Sequence, residues 1–297
     1  MICNLCPRQC NADRIHSQGF CLTGWEPEVA VVCAHHGEEP PLCGEKGICN
    51  VFFSHCNLGC TYCQNWQITQ GEQHPRRRGV EAIVDNIAEV LSGTENIVGF
   101  VTPTHYANSI PAIVEGLHHR GLHPTTVYNT GGYERVATLQ MIAPYIDIYL
   151  PDYKYADSMI AQRYSHAADY PEAALGALKE MYRQKGSGLR TDERGMAFGG
   201  IIVRHLVLPG CVESSRRVLD NVASVSQNLY VSLMAQYYPP ERTFAMPDEL
   251  GRTLREEEYA KVVEHFHTIG LHNGFIQALD AQQSYRPDFT NDSPFNQ

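Results

Sequence analysis

A chain of 297 residues, 43% hydrophobic and 19% charged, is long enough for one large α/β domain or two ordinary ones around a sizeable core. Its net charge of −10 offers bare nucleic acid and anionic lipid no electrostatic attraction, which leaves protein, peptide and small-molecule partners. No basic and apolar leader opens the sequence, and no run approaches the roughly 18 apolar residues of a membrane span, so a cytoplasmic location is expected.

The first 49 residues carry an unusual load of cysteine. Ten of the eleven cysteines lie between residues 3 and 63, and the last is Cys211. Structural disulfides are rare in the cytoplasm, so this crowding calls for a metal or redox explanation. Cys3, Cys6, Cys10 and Cys21 run C-x2-C-x3-C-x10-C, four thiols within nineteen residues. A structural zinc site and an auxiliary iron–sulfur cluster both take four thiolates; the alternative is a set of reduced core thiols. Cys33, Cys43, Cys49 and Cys211 share no spacing and read as small buried hydrophobes. His35 and His36 in "CAHHGEEPP" belong either near a site or on the surface. Because residues 1–49 do not follow the rhythm of what comes next, they are expected to form a separate cap on a domain spanning 50–297.

From residue 50 onward, short β-branched or aromatic runs alternate with segments of helical period. The runs are "NVFFS" (50–54), "NIVGFV" (96–101), "TTVYN" (125–129), "IDIYL" (146–150), "GIIVRHLVL" (200–208) and "LYVSLM" (229–234). Between them, "VEAIVDNIAEVL" puts Val80, Ile83, Val84, Ile87 and Leu91 on one helical face, and "SIPAIVEGLHHRG" offers Ser109 as an N-cap with proline in the first turn. Strict alternation predicts parallel strands with right-handed crossovers, hence an α/β barrel or an open doubly wound sheet. "PRRRG" (75–79) reads as an exposed lead-in to a helix, with a phosphate or RNA contact as the sharper alternative. "GSGLRTDERGMAFGG" (186–200) interrupts the alternation as a protruding hairpin or loop. A last amphipathic helix is predicted to end before Gly270, followed by a short strand and, after Tyr285, an irregular strap.

The strongest local signal is "HCNLGCTYCQN" at 55–65, in which Cys56, Cys60 and Cys63 are spaced C-x3-C-x2-C on a loop after a strand. Three thiolates can hold three corners of a cubane cluster and leave one iron open. A zinc ion would want a fourth ligand, for which His55 is at hand, although adjacent side chains point apart in extended backbone. Inert core cysteines complete the alternatives. Asp152 and Lys154, two apart at the end of a strand, face the same way and are either a structural ion pair or ligand contacts. Arg204 is a charge within an apolar run and requires an anion, with Asp152 one choice; His205 points the other way, into the core.

"CNLGCTYCQNW" resembles the signature of radical SAM enzymes. With "FVTPTHY", "YNTGGYE", "IYLPDYKY", "VRHLVLPG" and "SLMAQYYP" in order, the sequence is similar to the pyruvate formate-lyase activating enzyme group over roughly residues 1–280. The resemblance implies a partial (β/α)6 TIM-like barrel in which Cys56, Cys60 and Cys63 hold a [4Fe-4S] cluster. The cluster binds S-adenosylmethionine and, with one electron, cleaves it to a 5'-deoxyadenosyl radical for hydrogen abstraction. It implies cofactor contacts at Asn129, Thr130, Asp152 and Lys154; Tyr62, Arg204 and, more weakly, Gln236 and Tyr237 are further candidates for such contacts. The Gly-Gly-Glu-Pro segment of that group falls on Val101-Thr102-Pro103-Thr104, so Thr102, Thr104 or His105 is expected to replace its contact. The implied partners are an electron donor such as flavodoxin or ferredoxin and a glycyl radical enzyme. Radical chemistry on a small molecule, peptide or RNA, or a non-catalytic iron–sulfur or zinc module, remain the other readings of the residues.

Overall fold

The computed structural model describes residues 2–70, 77–246, 249–283, 286–291 and 294–295. In chain order the elements are β1 (Glu28–His35), α1 (Pro40–Cys43), β2 (Ile48–Phe53), α2 (Trp66–Thr69), β3 (Arg77–Arg78), α3 (Val80–Leu91), β4 (Ile97–Val101), α4 (Ile110–His119) and β5 (Thr125–Thr130). There follow α5 (Val136–Ile142), β6 (Ile148–Pro151), α6 (Ser158–Ser165), α7 (Tyr170–Lys185), β7 (Arg190–Thr191), β8 (Ala197–Leu206), α8 (Val212–Val225), β9 (Tyr230–Met234), α9 (Glu256–Thr268) and β10 (Gly274–Ile276).

One sheet runs β10-β9-β8-β6-β5-β4-β2-β1-β3. From β2 to β10 every neighbouring pair is parallel, and each of the crossovers between them contains a helix. This is the α/β class and parallel architecture expected, and the short strand expected after the last helix is the three-residue β10. The two ends of the sheet are not paired with each other among the described residues, so the barrel is partial.

Side-chain alternation sorts the strands into two faces. Cys49, Val51 and Phe53 of β2 pack outward with Ile83, Val84, Ile87 and Leu91 of α3. Burying those four α3 side chains removes roughly 6–12 kcal/mol of apolar exposure before chain entropy is counted. The inward set at the N-terminal ends of the strands is also apolar: Ile48, Ile97, Val127, Ile148 and Ile202 close the floor of the barrel. One or two pleats further along, the inward residues become Asn50, Asn129, Asp152 and Arg204. Polarity therefore concentrates at the C-terminal mouth, where barrels of this kind work.

The expected hairpin at 186–200 is present as β7 pairing antiparallel with β8. Of "PRRRG", Pro75 and Arg76 lie outside the described residues; Arg77 and Arg78 pair with the start of β1, and Gly79 precedes α3. The N-terminal segment differs from the expectation of a cap ending at residue 49. β1 is hydrogen-bonded antiparallel to β2 across Val29–Phe53 to His35–Ile48, and the expected boundary falls within β2. Its apolar residues Val29, Ala30 and Val32 are buried, which is what draws this stretch into the sheet. Among the described residues no helix is long and apolar enough to cross a membrane.

Candidate active site

The cysteine loop leaves β2 through Ser54 and His55, the latter at φ 69°, and turns again at Gly59, φ 71°. Gly59 suits that left-handed position because it has no Cβ to clash with the backbone. The loop brings Cys56, Cys60 and Cys63 to one cavity at the C-terminal mouth. Each sulfur has a polar group beside it. The Leu58 N–H donates to Cys56 Sγ at 3.3 Å, the Ser165 hydroxyl donates to Cys60 Sγ at 3.0 Å, and the Thr69 hydroxyl lies 3.3 Å from Cys63 Sγ. Burial pushes the Cys56 thiol up to about 12 and raises Cys63 as well. His55 is not a fourth ligand: its ring turns to Glu28 at 3.8 Å. Among the described residues no three His, Cys, Asp or Glu side chains converge closely enough for a single metal ion. Zinc–sulfur bonds of ~2.3 Å demand sulfurs about 3.8 Å apart, whereas a cubane spreads its ligands over separate irons.

Opposite the thiols, the strand ends supply a charged network. Arg204 Nε donates to Asp152 Oδ1 at 2.9 Å, Nη1 to Glu38 Oε2 at 3.1 Å and Nη2 to Asn129 Oδ1 at 2.6 Å. Lys154 Nζ donates to the other Asp152 oxygen at 2.7 Å. Glu38 Oε1 in turn accepts from Asn50 and Asn129. Burial pushes the Asp152 carboxyl up, but Arg204 and Lys154 outweigh it and hold the group below the usual carboxylate range. Arg204 is held above its ordinary value despite burial, by Asp152, Glu38 and Glu39. Glu39 itself is lifted by burial, partly countered by Arg204. The anion that Arg204 required is thus Asp152 together with Glu38, and the Asp152–Lys154 pair is part of a larger array rather than a lone bridge.

Tyr62, Thr102, Asn129, Thr130, Asp152, Lys154, Arg204 and Gln236 all line this cavity, as does His35. Thr102 has φ 56°, so the chain turns sharply as it leaves β4. Thr104 and His105 are corrections: the cavity does not include them. The turn after Thr102 leads into a 3-10 helix over Thr104–Ser109 that rotates both inward. His105 is buried with Nε2 2.7 Å from the Ser54 carbonyl, and burial lowers it to about 3. Thr104 donates to Glu134 Oε1 and lies 3.3 Å from the Thr130 hydroxyl. Tyr237 is likewise buried, with its hydroxyl donating to the Leu250 carbonyl, and His205 is a core residue bonded to the Tyr153 carbonyl as expected.

Two groups escaped sequence reasoning. Glu38 and Glu39 come from the β1–α1 connection, whose "GEEPP" gave no sign of reaching the strand ends. Glu134 sits beneath the mouth, accepting hydrogen bonds from Thr104, Thr130 and Tyr128; burial lifts it, against those hydroxyls, to about 7. It follows the tight turn at Gly132, where φ is 77° and an added Cβ would lie 2.1 Å from the Asp152 carbonyl oxygen. That "TGG" signature could have marked the turn, though not the burial of the acid.

A second depression adjoins the cavity, sharing Cys63, Gln64 and Pro287 with it. Its walls are Trp66, Tyr238, Pro239, Pro240, Arg242 and Phe244. Arg242 lies over the Trp66 ring at 5.6 Å and Arg286 over Tyr238 at 3.5 Å. Trp66 and Phe244 are exposed. On the other side the tail reaches the mouth, where Phe295 packs against His35 at 4.1 Å and Phe52 at 5.4 Å.

No family model matches the chain. It is 25% identical to an uncharacterized protein of Methanocaldococcus jannaschii over 272 residues, 88% of this chain and 73% of that one. Among solved structures it is similar to a domain of a pyruvate-formate lyase-activating enzyme from Bacteroides vulgatus, with TM-score 0.40 and 14% identity over 58% of this chain and 93% of that one. It is also similar to Streptococcus suis SuiB bound to the precursor peptide SuiA, with TM-score 0.48 and 10% identity over 75% of this chain and 47% of that one. A structure of SuiB bound to S-adenosylmethionine gives TM-score 0.45 at 10% identity, over 75% and 45% of the two chains.

Proposed function

We propose that this chain is a radical SAM enzyme of the glycyl-radical-activase type, acting on a glycine of a partner polypeptide. The observation that carries this reading is the meeting of three thiols, Cys56, Cys60 and Cys63, with a two-signed charge array at the mouth of a parallel barrel. The donors beside Cys56 and Cys60 suit thiolate ligands, and hydrogen bonds of this kind tune iron–sulfur centres. These cysteines would hold a [4Fe-4S] cluster with one iron left for S-adenosylmethionine, and the pair would supply an adenosyl radical able to take a hydrogen atom. The chain's own residues do the binding. Arg204 and Lys154 offer cations to a carboxylate, Glu38 and Asp152 offer anions to an amino group, and Asn129 presents both an acceptor and a donor. A zwitterionic amino acid needs that combination.

The polypeptide substrate is suggested by the aromatic and proline-walled groove that opens beside Cys63 and Gln64. An extended segment laid there would enter the cavity past the cysteine loop. The test is anaerobic: the iron-reconstituted protein is given S-adenosylmethionine and dithionite, which replaces a flavodoxin or ferredoxin, and 5'-deoxyadenosine is measured. Formation of 5'-deoxyadenosine is expected, with more in the presence of a glycyl radical partner. A chain loaded with iron that neither binds nor cleaves the cofactor is instead a non-catalytic iron–sulfur module.

A further inference from the structure

The N-terminal segment contains a buried cation that has no carboxylate partner among the described residues. Arg14 is 2% exposed, and its guanidinium donates to the His105 carbonyl, the Gly24 carbonyl and the Thr23 hydroxyl, all neutral. Among the described residues no carboxylate pairs with it, and its Nε has no acceptor. Isolated buried charges are costly and are normally paired with an opposite charge. The guanidinium also lies over the rings of Tyr106 (5.2 Å) and Trp25 (5.8 Å), neither of which carries a charge, and Nη1 donates to Cys3 Sγ at 3.9 Å.

Three buried thiols belong to the same segment as this cation. Cys3, Cys6 and Cys21 are buried, and Cys21 Sγ is 3.2 Å from the same Thr23 hydroxyl to which Arg14 donates. Cys10 is exposed, yet its sulfur lies in the space beside Gly19 where a Cβ would be 2.5 Å away, two residues from Cys21. Gln9, Asn11 and Leu22, which flank Cys10 and Cys21, all have positive φ (41°, 52° and 56°). Non-glycine residues adopt that conformation at a cost, and persist in it where the surroundings demand it.

We propose that Cys3, Cys6, Cys10 and Cys21 form a tetrathiolate metal centre whose negative charge is balanced by Arg14. Binding Zn²⁺ releases four thiol protons to solvent and leaves a centre of formal charge −2, which is the counter-charge Arg14 lacks. A cubane with four thiolates carries the same formal charge, with its sulfurs set farther apart on separate irons. Among the described residues the thiols do not converge on one ion, so the single-ion form requires them to close up, whereas a cubane takes them on separate irons. The centre would also stiffen the catalytic loop, because the same segment reaches it: Arg8 donates to the carbonyls of Asn57 and Leu58, within the cysteine loop itself.

The experiment uses the full chain with Cys56, Cys60 and Cys63 all changed to Ser, so that any metal found belongs to the N-terminal centre. Its metal content is read by plasma mass spectrometry after anaerobic purification. One zinc per chain is expected for the single-ion form and about four irons for the cubane. Adding Cys6→Ser and Cys21→Ser on that background should remove the metal, and Arg14→Met should lower its retention against a chelator at least tenfold while Arg14→Lys largely restores it. Since the cysteine variants could fail to fold, the triple variant is also stripped and titrated with Co²⁺, which should give the visible bands of a tetrahedral thiolate site. A folded triple variant holding no metal and giving no cobalt bands overturns the proposal, as does metal retention unaffected by the Cys6 and Cys21 changes. Neither result bears on whether the catalytic loop cleaves S-adenosylmethionine.

Discussion

Asp152→Asn is an isosteric change at the centre of the charged array. Its two carboxylate oxygens each serve one cation, Arg204 at 2.9 Å and Lys154 at 2.7 Å, and all three side chains are less than a fifth exposed. Asparagine keeps one acceptor and turns an amide N–H₂ toward the other cation, so one charge-assisted bond weakens and the other is replaced by repulsion. Charged hydrogen bonds contribute about 1.5–3 kcal/mol each, and breaking a buried pair costs about 3–5 kcal/mol. Glu38 still reaches Arg204 at 3.1 Å and recovers part of the loss. The net expectation is about 2–4 kcal/mol of destabilisation, or roughly 4–12 °C in Tm for a chain of this size. Anaerobic thermal unfolding without cofactor measures the structural part, and equilibrium binding of S-adenosylmethionine measures the part that belongs to the ligand, with iron content unchanged. Binding weakened by about 1.5–3 kcal/mol is expected. An unaltered Tm would refute the role of Asp152 in holding the mouth together; lowered Tm with unaltered binding would leave the array as structure alone.

Glu134 predicts a pH dependence of the opposite sense. Its folded value of about 7 stands above an ordinary 4.5, so its stabilising contribution is complete below the unfolded value and is lost as pH rises through 7. Glu134→Gln should therefore flatten the fall in stability between pH 5 and 8 by about 3 kcal/mol in urea titrations; an unchanged slope would mean the group titrates normally. At the groove, Trp66→Ala and Phe244→Ala should leave cofactor cleavage without partner within about twofold, yet slow reaction of a polypeptide substrate tenfold or more, read as a rise in KM; equal loss of both activities would remove the groove from substrate binding. Arg8→Ala removes the bonds to the Asn57 and Leu58 carbonyls, and should cost about 1–3 kcal/mol in stability together with faster hydrogen exchange in the cysteine loop; exchange confined to the N-terminal segment would separate the two regions.

Much of the barrel was legible because its strands are buried on both faces and so appear as apolar runs of strand length. β5, expected at 125–129, is Thr125–Thr130, and the α3 face of Ile83, Val84, Ile87 and Leu91 is buried as its spacing predicts. β1 escaped notice since Cys33 and the histidines of "EVAVVCAHH" disguised its alternation within a cysteine-rich stretch. At the mouth, residues on strands were easier to place than residues on turns. Asp152 and Arg204 follow from strand period, whereas Thr104 and His105 depend on the sharp turn at Thr102, which no short pattern encodes. Glu38 reaches Arg204 across 166 residues of sequence, and pairing over such a span is a property of the folded sheet alone.

The most direct measurement compares 5'-deoxyadenosine formation, iron content and folding in the wild-type chain and in Cys56→Ala, Cys60→Ala and Cys63→Ala, reconstituted side by side under dithionite. The three thiols serve one cluster with no spare ligand, so each single change should reduce turnover to background and lower cluster iron while the barrel stays folded. Turnover near the wild-type rate in any one of the three variants would contradict the assignment of these cysteines to the reacting centre.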